Sequence, residues 1–154
     1  MRLSDYLHEG LVIHDLHASD ALGVLEAIGA RFEENGLLPS RIRAVEALRA
    51  REEVHTTVLG QGVAVPHATV PGLPKTLLLV ASSSDSVLFG TREEERANLF
   101  FVILSPPGSE GEHLKLLARI CRLLRHPGFL DDVRDAPDSD GLLQRILDVD
   151  SLYD

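Results

Sequence analysis

Two short apolar runs, Leu77-Leu78-Leu79-Val80 and Phe100-Phe101-Val102-Ile103, show no alternation of polar and apolar residues. A strand with one wet face alternates with period two, so unbroken runs bounded by Pro, Gly and Ser predict strands covered on both faces. Strands are expected over 75–81 and 99–104, and a third over the β-branched, glycine-flanked stretch 57–65. The polar stretch 82–96, with Val87-Leu88-Phe89-Gly90 inside it, is expected to be a short hairpin element or a loop.

The segments around these runs have helical spacing. Asp20 or Ser19 can cap a helix whose apolar positions are Leu22, Leu25, Ile28 and Phe32, with Asn35-Gly36 as its stop. A second helix is expected from Ser40 to about Glu53, with Ile42, Val45 and Leu48 on one face and Arg51 in its last turn, where a cation suits the helix C-terminus. Ser109-x-x-Glu112 has the form of a capping box, followed by a predicted buried stripe of Leu114, Leu117, Ile120, Cys121 and Leu124. His126-Pro127-Gly128 ends that helix, a short one is expected over 129–135, and Asp138 or Ser139 caps a last one through Leu147. Helices, strands, then helices read as a three-layer α/β/α domain.

Composition narrows the function. A chain of 154 residues with 44% hydrophobic content suits one globular domain, expected over 1–154. A formal charge of −9, with no Lys/Arg cluster interleaved with aromatics, argues against nucleic-acid binding. Neither a bilayer-spanning apolar run nor a signal peptide is visible, so a cytoplasmic protein without membrane insertion is expected. The single Cys121 can form no internal disulfide and sits in a helical pattern, not in a metal-ligand spacing.

The chemistry gathers around Gly60-Gln61-Gly62-Val63-Ala64-Val65-Pro66-His67. Proline lacks an N–H and ends strand pairing, so His67 is expected to leave the sheet and sit at an accessible rim. Arg51 lies sixteen residues upstream, beside Glu52, and His113 opens the later helix in Glu112-His113-Leu114. On these motifs the chain resembles the enzyme IIA domains of the bacterial phosphoenolpyruvate:sugar phosphotransferase system, in the fructose/mannitol and nitrogen-regulatory branch. The resemblance runs from Leu3-Ser4-Asp5-Tyr6-Leu7 through Ala50-Arg51-Glu52, Gly60 to His67 and Leu99 to Pro107, to Glu112 through Ala118.

That resemblance implies a mixed sheet within the three layers and a phosphoryl group carried on His67 Nε2. The donor would be the carrier HPr or its nitrogen-type homologue. The group would pass to a cysteine of a IIB partner on another chain, or the phosphorylation state would govern binding to a regulatory target; without a fused permease or IIB segment the regulatory branch is favoured. His113 would hydrogen-bond the phosphoryl oxygens and Arg51 would add charge; Arg49, two residues away, competes for that role less well on spacing. Neutral imidazole is a nucleophile near physiological pH, and a helix N-terminus favours an anion beside His113.

Thr57, with Thr56, either donates hydroxyl bonds to phosphate or merely favours a strand, and Gly60 and Gly62 either admit a close approach or only shape a turn. Pro66 completes the expected phosphate-loop support. Glu52 and Glu53 are expected to solvate a helix end. His8, His14, His17, His55 and His126 lack partner motifs and read as surface residues; a zinc site from His55, His67 and His113 has no familiar spacing, so no metal or cofactor is expected. Ala68-Thr69 after the histidine and Val58 before it stand where the family commonly has glycine, which bears on partner choice more than on chemistry. The rival reading is an interaction module of the same fold that takes no phosphate.

Overall fold

The computed structural model describes residues 1–153. Its elements in chain order are β1 (Val12–Ile13), α1 (Ala21–Glu34), α2 (Arg41–Val54), β2 (Val58–Gly60), β3 (Val63–Ala64), β4 (His67–Thr69), β5 (Leu77–Leu88), β6 (Arg96–Ser105), α3 (Glu110–Arg125), α4 (Phe129–Arg134) and α5 (Ser139–Asp150), with two 3-10 turns before β1. The strands form one mixed sheet in the order β1-β5-β6-β3-β2, with β4 also beside β6. The two unbroken apolar runs are its central strands, β5 and β6, paired antiparallel, and both are buried on both faces as expected. Helices α1 and α2 pack together and against β5 and β4; α3, α4 and α5 pack in sequence, with α3 on β6 and α5 on β1. This is the expected mixed α/β architecture.

Several local expectations are revised. The stretch 57–65 is two strands joined at Gly60-Gln61-Gly62, where all three residues have positive φ, and β2 and β3 run antiparallel across that turn. Strand β5 does not stop at Ala81; it continues past an irregularity between Ser82 and Val87 and turns back into β6, so most of 82–96 belongs to a long hairpin. Strand β1, only two residues long, pairs parallel with β5 and is too short to leave a periodic signal.

The N-termini of α1, α2 and α5 are capped as the sequence predicts, and that of α3 is not. Asp20, Ser40 and Asp138 each accept a hydrogen bond from the backbone N–H three residues on. Ser109 makes no such bond, and Glu112 does not reach back to it: its carboxylate accepts from Tyr6 Oη and Thr76 Oγ1, both at 2.6 Å. Those two bonds, Thr76 first, hold Glu112 below the usual carboxylate range, while burial and Glu112 push the Tyr6 hydroxyl well up. The first turn of α3 is thereby tied to the N-terminal turn and to the loop before β5.

The buried stripe of α3 is Leu116, Ile120 and Leu123, with Leu117, Cys121 and Leu124 at its margins. Leu114 is two residues from Leu116, about 200° around the helix, and stays exposed. Leu22 and Ile42, in the first turns of α1 and α2, are exposed too, and Val24 and Ala44 take the core positions.

Candidate functional site

Strands β3 and β4 are one strand with a gap. Val63 pairs with Leu99 and His67 with Ile103, the same offset on both sides, so Val65-Pro66 interrupts the ladder without shifting its register. The expectation that His67 leaves the sheet is therefore corrected. Pro66 removes one donor, but its carbonyl still accepts from Ile103 N at 3.0 Å, and β4 resumes pairing at the next residue. Only three paired residues remain before the chain turns away, which leaves His67 at the sheet's edge and half-buried.

The same interruption sets the ring's tautomer. The Val65 N–H donates to Thr57 O, but β2 has ended, so the buried Val65 carbonyl faces no further strand. It accepts from His67 Nδ1 at 2.7 Å. A carbonyl can only accept, so in the neutral ring Nδ1 carries the proton and Nε2 keeps its lone pair.

Three segments meet at a cavity of about 430 Å³. His67 comes from β4, Arg51 from the last turn of α2 and His113 from the first turn of α3. The two imidazole centroids are 5.0 Å apart and tilted by 53°. His113 N donates to Ser109 O at 3.0 Å, so its side chain leaves the helix beside the end where unpaired N–H groups gather. Burial, then the neighbouring His67 and Arg51, hold the His113 imidazole below its ordinary pKa and keep it neutral at physiological pH. Arg51 Nη1 donates to His55 O at 3.0 Å, a main-chain anchor that aims the guanidinium.

The supporting residues lie elsewhere. Thr57 is buried, and its hydroxyl and N–H both donate to Glu52, at 2.6 Å each, joined by Thr56 Oγ1 at 3.0 Å. Glu52 thus holds the turn after α2 and is not the solvated helix end expected of it. Gly60 and Gly62 form the β2–β3 turn and do not line the cavity; a Cβ on Gly62 would stand 2.8 Å from Arg134 Nη2. Pro66 acts through its carbonyl in the sheet. Arg49 pairs with Glu53 at 3.9 Å, and neither lines this cavity.

Two polar lining residues were given no role by the sequence reading. Ser105, the last residue of β6, is 3% exposed, and its hydroxyl sits 3.3 Å from His113 Nδ1. In the sequence it looks like a strand terminator before Pro106-Pro107. Glu110 also lines the cavity, and nothing separates it by sequence from the other surface acids. Among the described residues, no group of three His, Cys, Asp or Glu side chains is placed to hold a metal ion, and no helix is long and apolar enough to cross a membrane.

Known proteins resemble this chain in sequence and in fold. A nitrogen regulatory protein of Bradyrhizobium diazoefficiens is 32% identical over 143 residues, covering 92% of each chain. A fructose-specific EIIA component from Haloferax volcanii is 31% identical over 113 residues, 73% of this chain and 71% of that one. The fold is shared with the nitrogen regulatory protein IIA-Ntr of Neisseria meningitidis, at TM-score 0.84 and 23% identity over 94% of this chain and 98% of that one. It is shared also with IIA mannitol from Escherichia coli, at TM-score 0.78 and 20% identity over 91% and 98% of the two chains. The family model described as "Phosphoenolpyruvate-dependent sugar phosphotransferase system, EIIA 2" matches residues 5–149, and the chain belongs to that family.

Proposed function

We propose that this protein is a histidine phosphocarrier whose acceptor atom is His67 Nε2, and that the matched span acts as one IIA domain. The observation that carries this reading is the Val65 carbonyl on His67 Nδ1, which leaves Nε2 as a lone pair at the mouth of a cavity shared with a second imidazole and a guanidinium. The Nε2 pair attacks the phosphorus of a phosphohistidine on the donor. The donor's N–P bond breaks and its electron pair returns to the donor ring. The His67 ring becomes formally cationic, with Nδ1 keeping its proton and still donating it to the Val65 carbonyl, so no proton has to move during transfer. His113 and Arg51 offer N–H donors and positive charge to the phosphoryl oxygens, as this chemistry requires.

An HPr-type carrier is the donor. Onward transfer goes to a IIB component, or else the two phosphorylation states differ in affinity for a target, since a dianion on a contact surface changes its complementarity. One structural neighbour is a complex of enzyme IIAMTL with phosphorylated enzyme IIBMTL, which supports a IIB partner. Nitrogen regulatory proteins among the relatives, at 32% and 34% identity, favour the regulatory branch. The test is incubation with phosphoenolpyruvate, enzyme I and HPr. One acid-labile phosphate per chain is expected, absent from His67→Ala; a parent chain that stays unlabelled would leave only the interaction module.

A further inference from the structure

We propose that Ser105 is a positioning residue for His113, donating its hydroxyl proton to Nδ1 so that the ring presents Nε2–H to the cavity. The inference deepens the phosphocarrier reading and rests on it for its functional consequence, although the hydrogen bond itself does not depend on phosphate.

Strand register sets where the serine points. In a parallel pair, facing residues point to the same side, and His67↔Ile103 with Thr69↔Ser105 places His67, Thr69 and Ser105 on one face of the sheet. Ser105 is fixed there by its main chain, since Val70 N donates to Ser105 O at 2.9 Å. Its hydroxyl is nearly dry, and among the described residues its hydrogen-bond partner is His113 Nδ1. Two assignments are available for that contact. If Nδ1–H donated to Oγ, the serine's own proton would have no acceptor in the protein. If Oγ–H donates to Nδ1, both atoms are satisfied, and a buried hydroxyl is seldom left without an acceptor.

The consequence is that two imidazoles 5.0 Å apart are held ready for opposite tautomers. His67 is pinned as Nδ1–H by a carbonyl, which exposes a lone pair. His113 is pinned as Nε2–H by a hydroxyl, which exposes a donor. One ring can attack and the other can bond the arriving oxygens without either changing its protonation. A second lone pair facing the phosphoryl oxygens would repel them, so the serine separates a stabilising histidine from an opposing one.

Imidazole nitrogen NMR of the unphosphorylated protein reads this directly. In the parent, His113 Nδ1 should resonate as an unprotonated, hydrogen-bonded nitrogen and Nε2 as protonated; a protonated Nδ1 overturns the proposal. In Ser105→Ala the Nδ1 resonance should shift toward that of an unbonded nitrogen, and Ser105→Thr, which keeps the hydroxyl at a strand position suited to a β-branched residue, should restore it. An Nδ1 signal that ignores the alanine substitution also overturns the proposal. After phosphorylation, the phosphohistidine of Ser105→Ala should be lost roughly three- to tenfold faster than that of the parent, the scale of one hydrogen bond, with the threonine variant at the parent rate. Equal lifetimes for parent and alanine variant would refute the positioning role. A parent that gives the expected nitrogen signals but never takes up phosphate would support the Ser105 bond and defeat the phosphocarrier reading instead.

Discussion

At the scale of single residues, the site separates charge from geometry. Arg51 is anchored through one nitrogen to the His55 carbonyl, which leaves the rest of its planar fork for a ligand. Arg51→Lys keeps the charge and loses that fork, so phosphorylation should slow by about tenfold with little change in melting temperature; unchanged kinetics would show that the guanidinium grips nothing. His113 has a testable pH signature of its own. Its folded-state pKa is lowered from the ordinary 6.5, so the unfolded chain takes up a proton that the folded chain refuses. Stability is unaffected by this group well above pH 6.5, and falls as pH drops from there toward the lower folded value. Urea unfolding of parent and His113→Gln across that window should give a smaller loss of stability in the variant. His67, His113 and Arg51 were legible in the sequence because each sits in a short motif with fixed spacing. Ser105 was not, since a serine ahead of two prolines reads as the end of a strand, and only tertiary packing brings it to the imidazole.

At the scale of elements, the proline before His67 was the instructive misreading. Proline's missing donor suggested that the strand stops, whereas the sheet tolerates one lost bond because the pairing offset is held on both sides. The position of His67 thus depends on β6 as much as on its own loop. The glycines nearby were read as possible phosphate support and serve the hairpin between β2 and β3. Gly62 has φ of +78° and no room for a methyl group beside Arg134 and Asn98, so Gly62→Ala should cost about 1–2 kcal/mol or more in denaturant unfolding. It should leave the phosphorylation rate of the folded chain near that of the parent, because the turn does not line the cavity; a specific loss of rate would return Gly62 to the site. Local pattern reading found every helix and the two central strands. It missed β1, which has only two residues, and it expected at 109–112 a capping box that does not form, because Tyr6 and Thr76 take the Glu112 carboxylate.

At the scale of the whole molecule, distant parts of the chain are fastened together. Asp150, 2% exposed at the end of α5, accepts from Leu3 N at 2.8 Å and from Arg119 Nε at 2.5 Å, joining the N-terminal turn, α3 and α5. Removing the buried carboxylate takes the acceptor from Leu3 N and Arg119 Nε at once, so Asp150→Ala should lose roughly 3 kcal/mol, against under about 0.5 kcal/mol for Glu53→Ala in the exposed pair with Arg49. Near-equal losses would mean that the buried pair contributes little. No sequence pattern announced these bonds, because Leu3 and Arg119 lie 147 and 31 residues from Asp150. The same assembly brings β4, α2 and α3 to one cavity, and the account rests on what that convergence does to His67. The decisive measurement is phosphorus–nitrogen coupling in the NMR spectrum of the phosphorylated protein. The account predicts a single phosphoryl group bonded to Nε2 of His67, with Nδ1 still protonated; a phosphoryl group on Nδ1, or on any other histidine, would contradict it.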